Sequence, residues 1–407
     1  MALRTASARC RRRIGARAAS NDPRFPTCGV CHWEGQTAIG PTAVHAHAIL
    51  APSTTRQDYC DVILDLAEHV SDGRRRAMLT STGQFPPYAA TDDAYWDDVA
   101  SRVQQRHGRV AWFAVYDGHD SGTIAQLAAQ YLPYVLARAM VEQTADLDDL
   151  MRRVPREVHD IIKRQALEGK GMDVRDAGGT TATMAIVADG HVHVCAVGDS
   201  PAAIHTKSGV HVVATQTMSA LPSIVEAEFK LAGMPYSNDK QRPYDRHGML
   251  GPDQRVGIPG LKMYGSIGDF FCDLDAANAL VHVMCDKYTE ADLKIVKSLT
   301  RDRRAWSNWQ TNGRPFVPMT GGAFRRAPDE VVSEPLTNVR SVTLVTSGAR
   351  KTLKGHEQLI EFIDSAPPGD HKQHSLAMLF FPDDPLSVDH IDDSTAIYID
   401  LNNATRP

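Results

Sequence analysis

The sequence predicts an α+β fold, with antiparallel sheets covered by helices instead of a doubly wound α/β arrangement. Three observations carry this expectation. Two alternating runs, Gly178 to Ala188 and His191 to Val197, are joined by Asp189-Gly190, the strongest short hairpin signal a sequence offers. A second pair, Ala202 to His205 and Val210 to Ala214, turns at Lys207-Ser208-Gly209. Two long segments with apolar residues at helical spacing, Ile124 to Met140 and Leu147 to Leu167, precede these strands as a block and do not alternate with them.

The chain begins with a different composition. Residues 1–20 carry Arg4, Arg9, Arg11, Arg12, Arg13 and Arg17, with no acid before Asp22. Arg-rich, acid-poor and Ser/Ala-containing, this reads as a mitochondrial targeting segment and implies a matrix location. The competing reading is a disordered basic tail that contacts nucleic acid. The chain has 44 Lys+Arg against 49 Asp+Glu; without those six arginines 38 face 49, a net charge of −11. An acidic body argues against nucleic-acid binding over its whole surface and leaves room for local basic patches. The 407 residues, 43% hydrophobic and 23% charged, suffice for one large core or two smaller ones. No apolar run approaches the length of a membrane span, so no membrane partner is expected.

Residues 21–56 form an N-terminal extension around Cys28-Gly29-Val30-Cys31-His32. The seven cysteines, odd and scattered, do not make a secreted disulfide framework. A C-x-x-C-H string is half of a zinc site, a redox pair or a c-type haem attachment. Zinc at Cys28 and Cys31 needs further ligands, from Cys10, Cys60, His45, His47 or a partner chain. Haem needs a pocket that so short an extension does not offer. Unliganded thiols are the plain alternative.

The regular part starts near Gln57. Tyr59 to Val70 has apolar residues at helical spacing, and Asp72-Gly73 turns into Arg74-Arg75-Arg76, a phosphate grip or a solvated edge. Thr91 to Asp98 is an acidic loop or short helix. Val110 to Tyr116 reads as a buried strand that delivers Asp117-Gly118-His119 to a turn. Phosphate-ester hydrolysis needs charge neutralisation, an activated water and a proton donor, so a metal-binding Asp beside a His suits it. An Asp-Gly pair also makes a plain turn.

Ordered blocks between about Gly73 and Leu401 carry a resemblance. They are Gly73-Arg75-Met78, the FAVYDGH block, Gly179-Thr180-Thr181-Ala182, Val197-Gly198-Asp199-Ser200, Ser266-Ile267-Gly268-Asp269, Leu344 to Gly348, and Asp392 to Ile399. In order and spacing they resemble the metal-dependent protein phosphatases of type 2C. The resemblance implies a four-layer αββα sandwich, two antiparallel sheets flanked by helix pairs, over residues 57–407 with an insertion at about 273–335. It also implies two Mn²⁺ or Mg²⁺ ions that generate the nucleophile for phosphoserine or phosphothreonine hydrolysis. Asp117 matches the bridging aspartate, Gly118 a carbonyl ligand, His119 the proton donor and Arg75 the phosphate-binding arginine. Asp392 matches a further metal aspartate, and Asp176 a carboxylate of a third, looser metal.

The departures from the family pattern fall at the chemistry. Leu79-Thr80 stands where the family has an acidic pair, and Thr346-Ser347-Gly348 where it has a serine-aspartate-glycine. Gly265 and Pro201 replace arginines, and Ser219-Ala220-Leu221-Pro222 replaces an Asp-His-Lys-Pro. Leu79 cannot ligate a hard cation. Asp117 and Asp392 then offer −2 against the +4 of two ions, so a residual single Mg or Mn is the most these two would hold. Asp92, Asp93, Asp97 and Asp98 are candidate substitutes.

The insertion adds a surface. Lys294 to Arg326 holds eight Lys and Arg against the single acid Asp302, with Trp306, Trp309, Phe316 and Phe324 interleaved. That composition suits RNA or a phosphorylated partner, or a basic loop packed on its own protein. Beyond it come a strand at Ser341 to Thr346, helices near His356 to Ile363 and His371 to Leu379, and a closing strand Thr395 to Leu401. The expectation is a mitochondrial pseudophosphatase acting through protein partners in a larger assembly, such as a ribonucleoprotein like the mitochondrial ribosome. A variant binds phosphate through Arg75 without hydrolysis. The competing expectation is an active phosphoserine/phosphothreonine phosphatase with relocated ligands.

Overall fold

The computed structural model describes residues 31–51, 57–73, 93–119, 122–167, 178–213, 265–270, 310–311, 314–315, 327–328, 330–348 and 393–401. The first hairpin, β1 (Cys31–Ile39) and β2 (Thr42–Ala51), pairs without a break through nine residues. It turns at Gly40, with φ 58°, and Pro41. Val44, Ala46 and Ala48 alternate into the core, so the segment set apart as an extension belongs to a sheet.

Tyr59 to Val70 is not one helix. β3 (Tyr59–Ile63) pairs with the central strand, and α1 (Leu66–Ser71) starts afresh behind Asp65, whose side chain accepts from the Glu68 N–H. The N-cap supplies an acceptor for an orphan helix donor, while the edge pairing draws Tyr59 to Ile63 into extended form. The acidic Thr91 to Asp98 stretch enters a longer helix, α2 (Asp93–His107), which buries Trp96, Val99, Ala100 and Val103. β4 (Ala111–Tyr116) is buried throughout and runs to β5 (Gly118–His119). Then come the two expected helices, α3 (Thr123–Glu142) and α4 (Leu147–Leu167).

The remaining strands are β6 (Gly179–Thr180), β7 (Ala182–Ala188), β8 (His191–Val197), β9 (Ala202–Thr206), β10 (Gly209–Val213), β11 (Ile267–Gly268), β12 (Gln310–Thr311), β13 (Arg314–Pro315), β14 (Val331–Pro335), β15 (Val339–Val345) and β16 (Ser394–Asp400). Both expected hairpins form. Asp189 and Gly190 take φ 50° and 75°, as the tight turn between β7 and β8 requires.

Two large antiparallel sheets result, in the orders β1-β2-β16-β15-β9-β10 and β14-β8-β7-β4-β3. Among the described residues there are also a three-stranded sheet β11-β6-β5 and the pair β12-β13. Since β14 pairs with β8 from Val331 onward, the insertion ends before 331 and not near 335. β4 shows why the layers stack. Trp112, Ala114 and Tyr116 pack with α1 to α4, while Ala111, Phe113 and Val115 pack with Ile204, Val342, Leu344, Ile397 and Ile399 of the other sheet. This is the alternation of a strand buried on both faces. The helices expected near His356 to Ile363 and His371 to Leu379 lie outside the described residues. None of the described helices is long and apolar enough to cross a membrane.

Candidate active site

Asp117 leaves the end of β4 buried. Its backbone is fixed against Thr181, whose N–H donates to the Asp117 carbonyl at 3.0 Å, while the Asp117 N–H donates to Thr181 Oγ1 at 3.3 Å. Oδ2 of Asp117 accepts from the Ser347 N–H at 2.8 Å and from Ser200 Oγ at 3.2 Å. Thr181 Oγ1 in turn donates to Ser200 Oγ at 2.8 Å. Gly118 is glycine because a Cβ there would overlap the Gln57 carbonyl oxygen.

His119 is aimed by a second carboxylate. Its Nε2 meets Asp269 Oδ2 at 2.9 Å and Oδ1 at 3.0 Å, and Ser266 Oγ also donates to Asp269 Oδ2. Asp269 sits at φ 46°, a left-handed conformation that Asp tolerates better than most residues. Its N–H bonds the Gly178 carbonyl at 3.0 Å. A side chain at Gly179 would overlap Asp269 Oδ2, so the bare backbone of β6 is what lets this pair close. From beneath, His159 of α4 accepts from the Gly268 N–H at 3.2 Å and packs on Phe270.

Opposite Asp117 lies Asp58. Tyr59 pairs with Tyr116, so the next step of the ladder sets Asp58 beside Asp117. Asp58 Oδ2 accepts from Thr395 Oγ1 at 3.0 Å, and Oδ1 is buried without a hydrogen-bond partner. Asp393 Oδ2 accepts from the N–H groups of Gln57 and, at 3.1 Å, Asp58. Burial first, then the charges of Asp117 and Asp393, hold the Asp58 carboxyl well above the usual carboxylate range against the opposing hydroxyls of Thr346 and Thr395.

Asp117, Gly118 and His119 run consecutively from the end of β4 into β5. The structure adds Asp58, Asp269 and Asp393, to which the sequence reading gave no role. Asp58 was hidden by taking 59–70 as helix; its signal was a carboxylate at the entry of the strand that pairs with β4. Arg75, Asp176, Asp392, Leu79, Cys10, Cys28 and Asp92 lie outside the described residues. Asp93, Asp97 and Asp98 are exposed on α2 in the helix layer, and Asp98 reaches Arg102 at 3.6 Å; they do not replace ligands at the site. Cys31 pairs with Leu50, three residues along β1 from Glu34, the partner of His47, and Cys60 lies on β3 of the other sheet.

The described carboxylates of the site are engaged within the protein. Asp117 Oδ2 and Asp393 Oδ2 are each occupied by two protein donors. Among the described residues no three His, Cys, Asp or Glu side chains converge as a metal set. Asp58 Oδ1, buried without a hydrogen-bond partner, is a candidate oxygen for a single cation.

Residues 92–220 match the family model of protein phosphatase 2C. Among solved structures, a Caenorhabditis elegans sex determining protein is similar at TM-score 0.52 and 13% identity, over 88% of this chain and 64% of that one. A serine-threonine phosphatase 2C from Toxoplasma gondii is similar at TM-score 0.52 and 12% identity, over 92% of this chain and 99% of that one. No curated protein matches the chain in sequence.

Proposed function

From a chain that carries a protein phosphatase 2C-like domain, we propose a non-hydrolytic function: a pseudophosphatase whose folded body serves as an interaction subunit of a mitochondrial assembly. One observation carries the loss of hydrolysis. Asp117 Oδ2 is tied to the Ser347 backbone and the Ser200 hydroxyl, and Ser347 itself is a serine where the family resemblance puts a carboxylate. Two cations about 4 Å apart repel strongly and need surrounding negative charge.

A metal-free phosphate-binding role fits poorly, since the carboxylates of Asp117 and Asp393 would repel a phosphate dianion. Protein partners are the better match. The six N-terminal arginines support import into mitochondria, and the basic, aromatic 294–326 segment supports a ribonucleoprotein setting.

A second reading has its own observation. Asp58, beside Asp117 and with Oδ1 open, is a relocated carboxylate of the kind a metal-dependent phosphoserine/phosphothreonine phosphatase would need. Calorimetry with Mn²⁺ and Mg²⁺, run with a phosphopeptide hydrolysis assay on the whole chain, separates the two. The expected result is no turnover at millimolar metal. Metal-dependent turnover lost in both Asp117→Asn and Asp58→Asn would overturn the proposal in favour of the enzyme.

A further inference from the structure

β8 opens with His191-Val192-His193, and two residues apart on a strand the imidazoles stand on one face of the sheet. The register sets them beside Ala188 and Ile186 of β7 and beside Pro335 and Ser333 of β14. Ala188 and Ile186 belong to the core on the helix side. The pair lies at the hairpin end of β8, whereas the far end leads to Ser200, whose hydroxyl bonds Asp117. A strand of seven residues spans roughly 20 Å, so this place is separate from the candidate active site.

Each ring is fixed through the same nitrogen. His191 Nδ1 meets the Asp189 carbonyl oxygen at 3.0 Å. His193 Nδ1 meets Asp148 Oδ1 at 2.7 Å and Ser333 Oγ at 2.8 Å, while the Ser333 hydroxyl gives its own proton to Asp148 Oδ1. A carbonyl and a carboxylate accept, so in the neutral rings both protons belong on Nδ1 and both lone pairs on Nε2. His193 Nε2 is buried without a hydrogen-bond partner, the kind of orphaned atom that a bound ion or water explains. The His191 side chain is exposed, and its ring centroid is 6.1 Å from that of His193, with the planes tilted by 43°. A modest turn of the outer ring brings the two lone pairs onto one ion.

We propose that His191 and His193 form a two-imidazole site for a borderline divalent transition ion of the Zn²⁺ or Cu²⁺ class. Neutral imidazole nitrogen suits these ions, at about 2 Å from the metal, whereas Mg²⁺ and Ca²⁺ take oxygen. A ligating histidine as a rule donates its other N–H to a carboxylate or a backbone carbonyl, which fixes the ring and strengthens it as a ligand. Both kinds of support are in place, Asp148 behind His193 and the Asp189 carbonyl behind His191. Among the described residues no third His, Cys, Asp or Glu converges with the pair. Water then fills the remaining positions, and the ion is exchangeable, unlike one in a closed four-ligand structural site.

The test is the shift that Zn²⁺ gives to the urea midpoint of the whole chain, each protein being compared with itself in EDTA across a zinc series. An ion that binds the folded state raises the midpoint in proportion to its affinity. His191→Gln, at an exposed residue, keeps the fold and removes one ligand. Asp148→Asn keeps both ligands and removes the charge behind one; its own loss of stability drops out of the comparison with EDTA. Zinc should raise the parent midpoint, and each variant should need roughly tenfold more zinc, or beyond, for the same shift. Zinc held at other histidines or cysteines acts alike on all three proteins. A shift that both variants keep at the parent's zinc concentration therefore means adventitious zinc only and overturns the site, as does a parent midpoint that zinc leaves in place.

Discussion

Asp58 is a carboxyl whose charge works against its own fold. Burial and the neighbouring Asp117 and Asp393 raise its pKa, so the folded protein keeps a proton that the unfolded chain releases near pH 4. The sign follows from proton linkage. Below the unfolded value Asp58 costs nothing, and stability falls as the pH rises from there through the raised folded value. Asp58→Asn removes the ionisable group and keeps the shape. In urea unfolding with EDTA, the variant's advantage should widen with pH and reach about 1–3 kcal/mol once the parent carboxyl ionises. A difference that stays constant from pH 4 to 9 would mean that Asp58 is charged throughout. Nothing in composition or periodicity exposed this residue, because its strain is created by a ladder step between residues 58 and 117.

At the scale of elements, helix α4 is fastened to the five-stranded sheet through one carboxylate. Asp148 Oδ1, in its first turn, meets His193 Nδ1 of β8 at 2.7 Å and accepts from Ser333 Oγ of β14 at 2.5 Å, and those two side chains meet at 2.8 Å. Burial alone would raise the Asp148 pKa, but hydrogen bonds from Ser333 and His193 outweigh it and hold it below the usual value. A depressed acid contributes stability above its unfolded pKa and loses it as the pH falls through the folded one. Asp148 keeps solvent contact, so the low end of the range applies. Asp148→Asn is expected to cost about 1 kcal/mol at pH 7, a cost that fades below about pH 4. Amide exchange should quicken first in β14, the edge strand. If Asp148→Asn and Ser333→Ala proved additive in a double-mutant cycle, the three groups would not be acting as one fastening. The β7–β8 hairpin was legible in the sequence since a local Asp-Gly turn fixes it. The polar fastening was not, for it joins residues 45 and 185 positions apart.

For the whole molecule, the same division between local and distant order decides what could be read. The helices α3 and α4, the buried β4 and both downstream hairpins follow from patterns a few residues long. The sheet order does not: β2 pairs with β16 from Ser394↔Ala51 to Asp400↔His45, across most of the chain. That pairing hid the role of the first hairpin, although Gly40-Pro41 and the alternation of Val44, Ala46 and Ala48 were present as signals. The consequence can be measured. A chain beginning at Gln57 would strip the partner from β16 and expose the inner faces that now bury Ile39 and Val44 with their alanine neighbours. At roughly 2 kcal/mol for each large aliphatic side chain, and with seven cross-strand pairs lost, the penalty is about 5 kcal/mol or more. That is comparable to the whole stability of an ordinary domain, so this chain should be insoluble or unfold without cooperativity, whereas one beginning at Cys31 should unfold in a single urea transition. Equal midpoints for the two chains would show that the first hairpin is an ornament on a sheet already complete, and the four strands β16-β15-β9-β10 would then have to hold that face of the core alone.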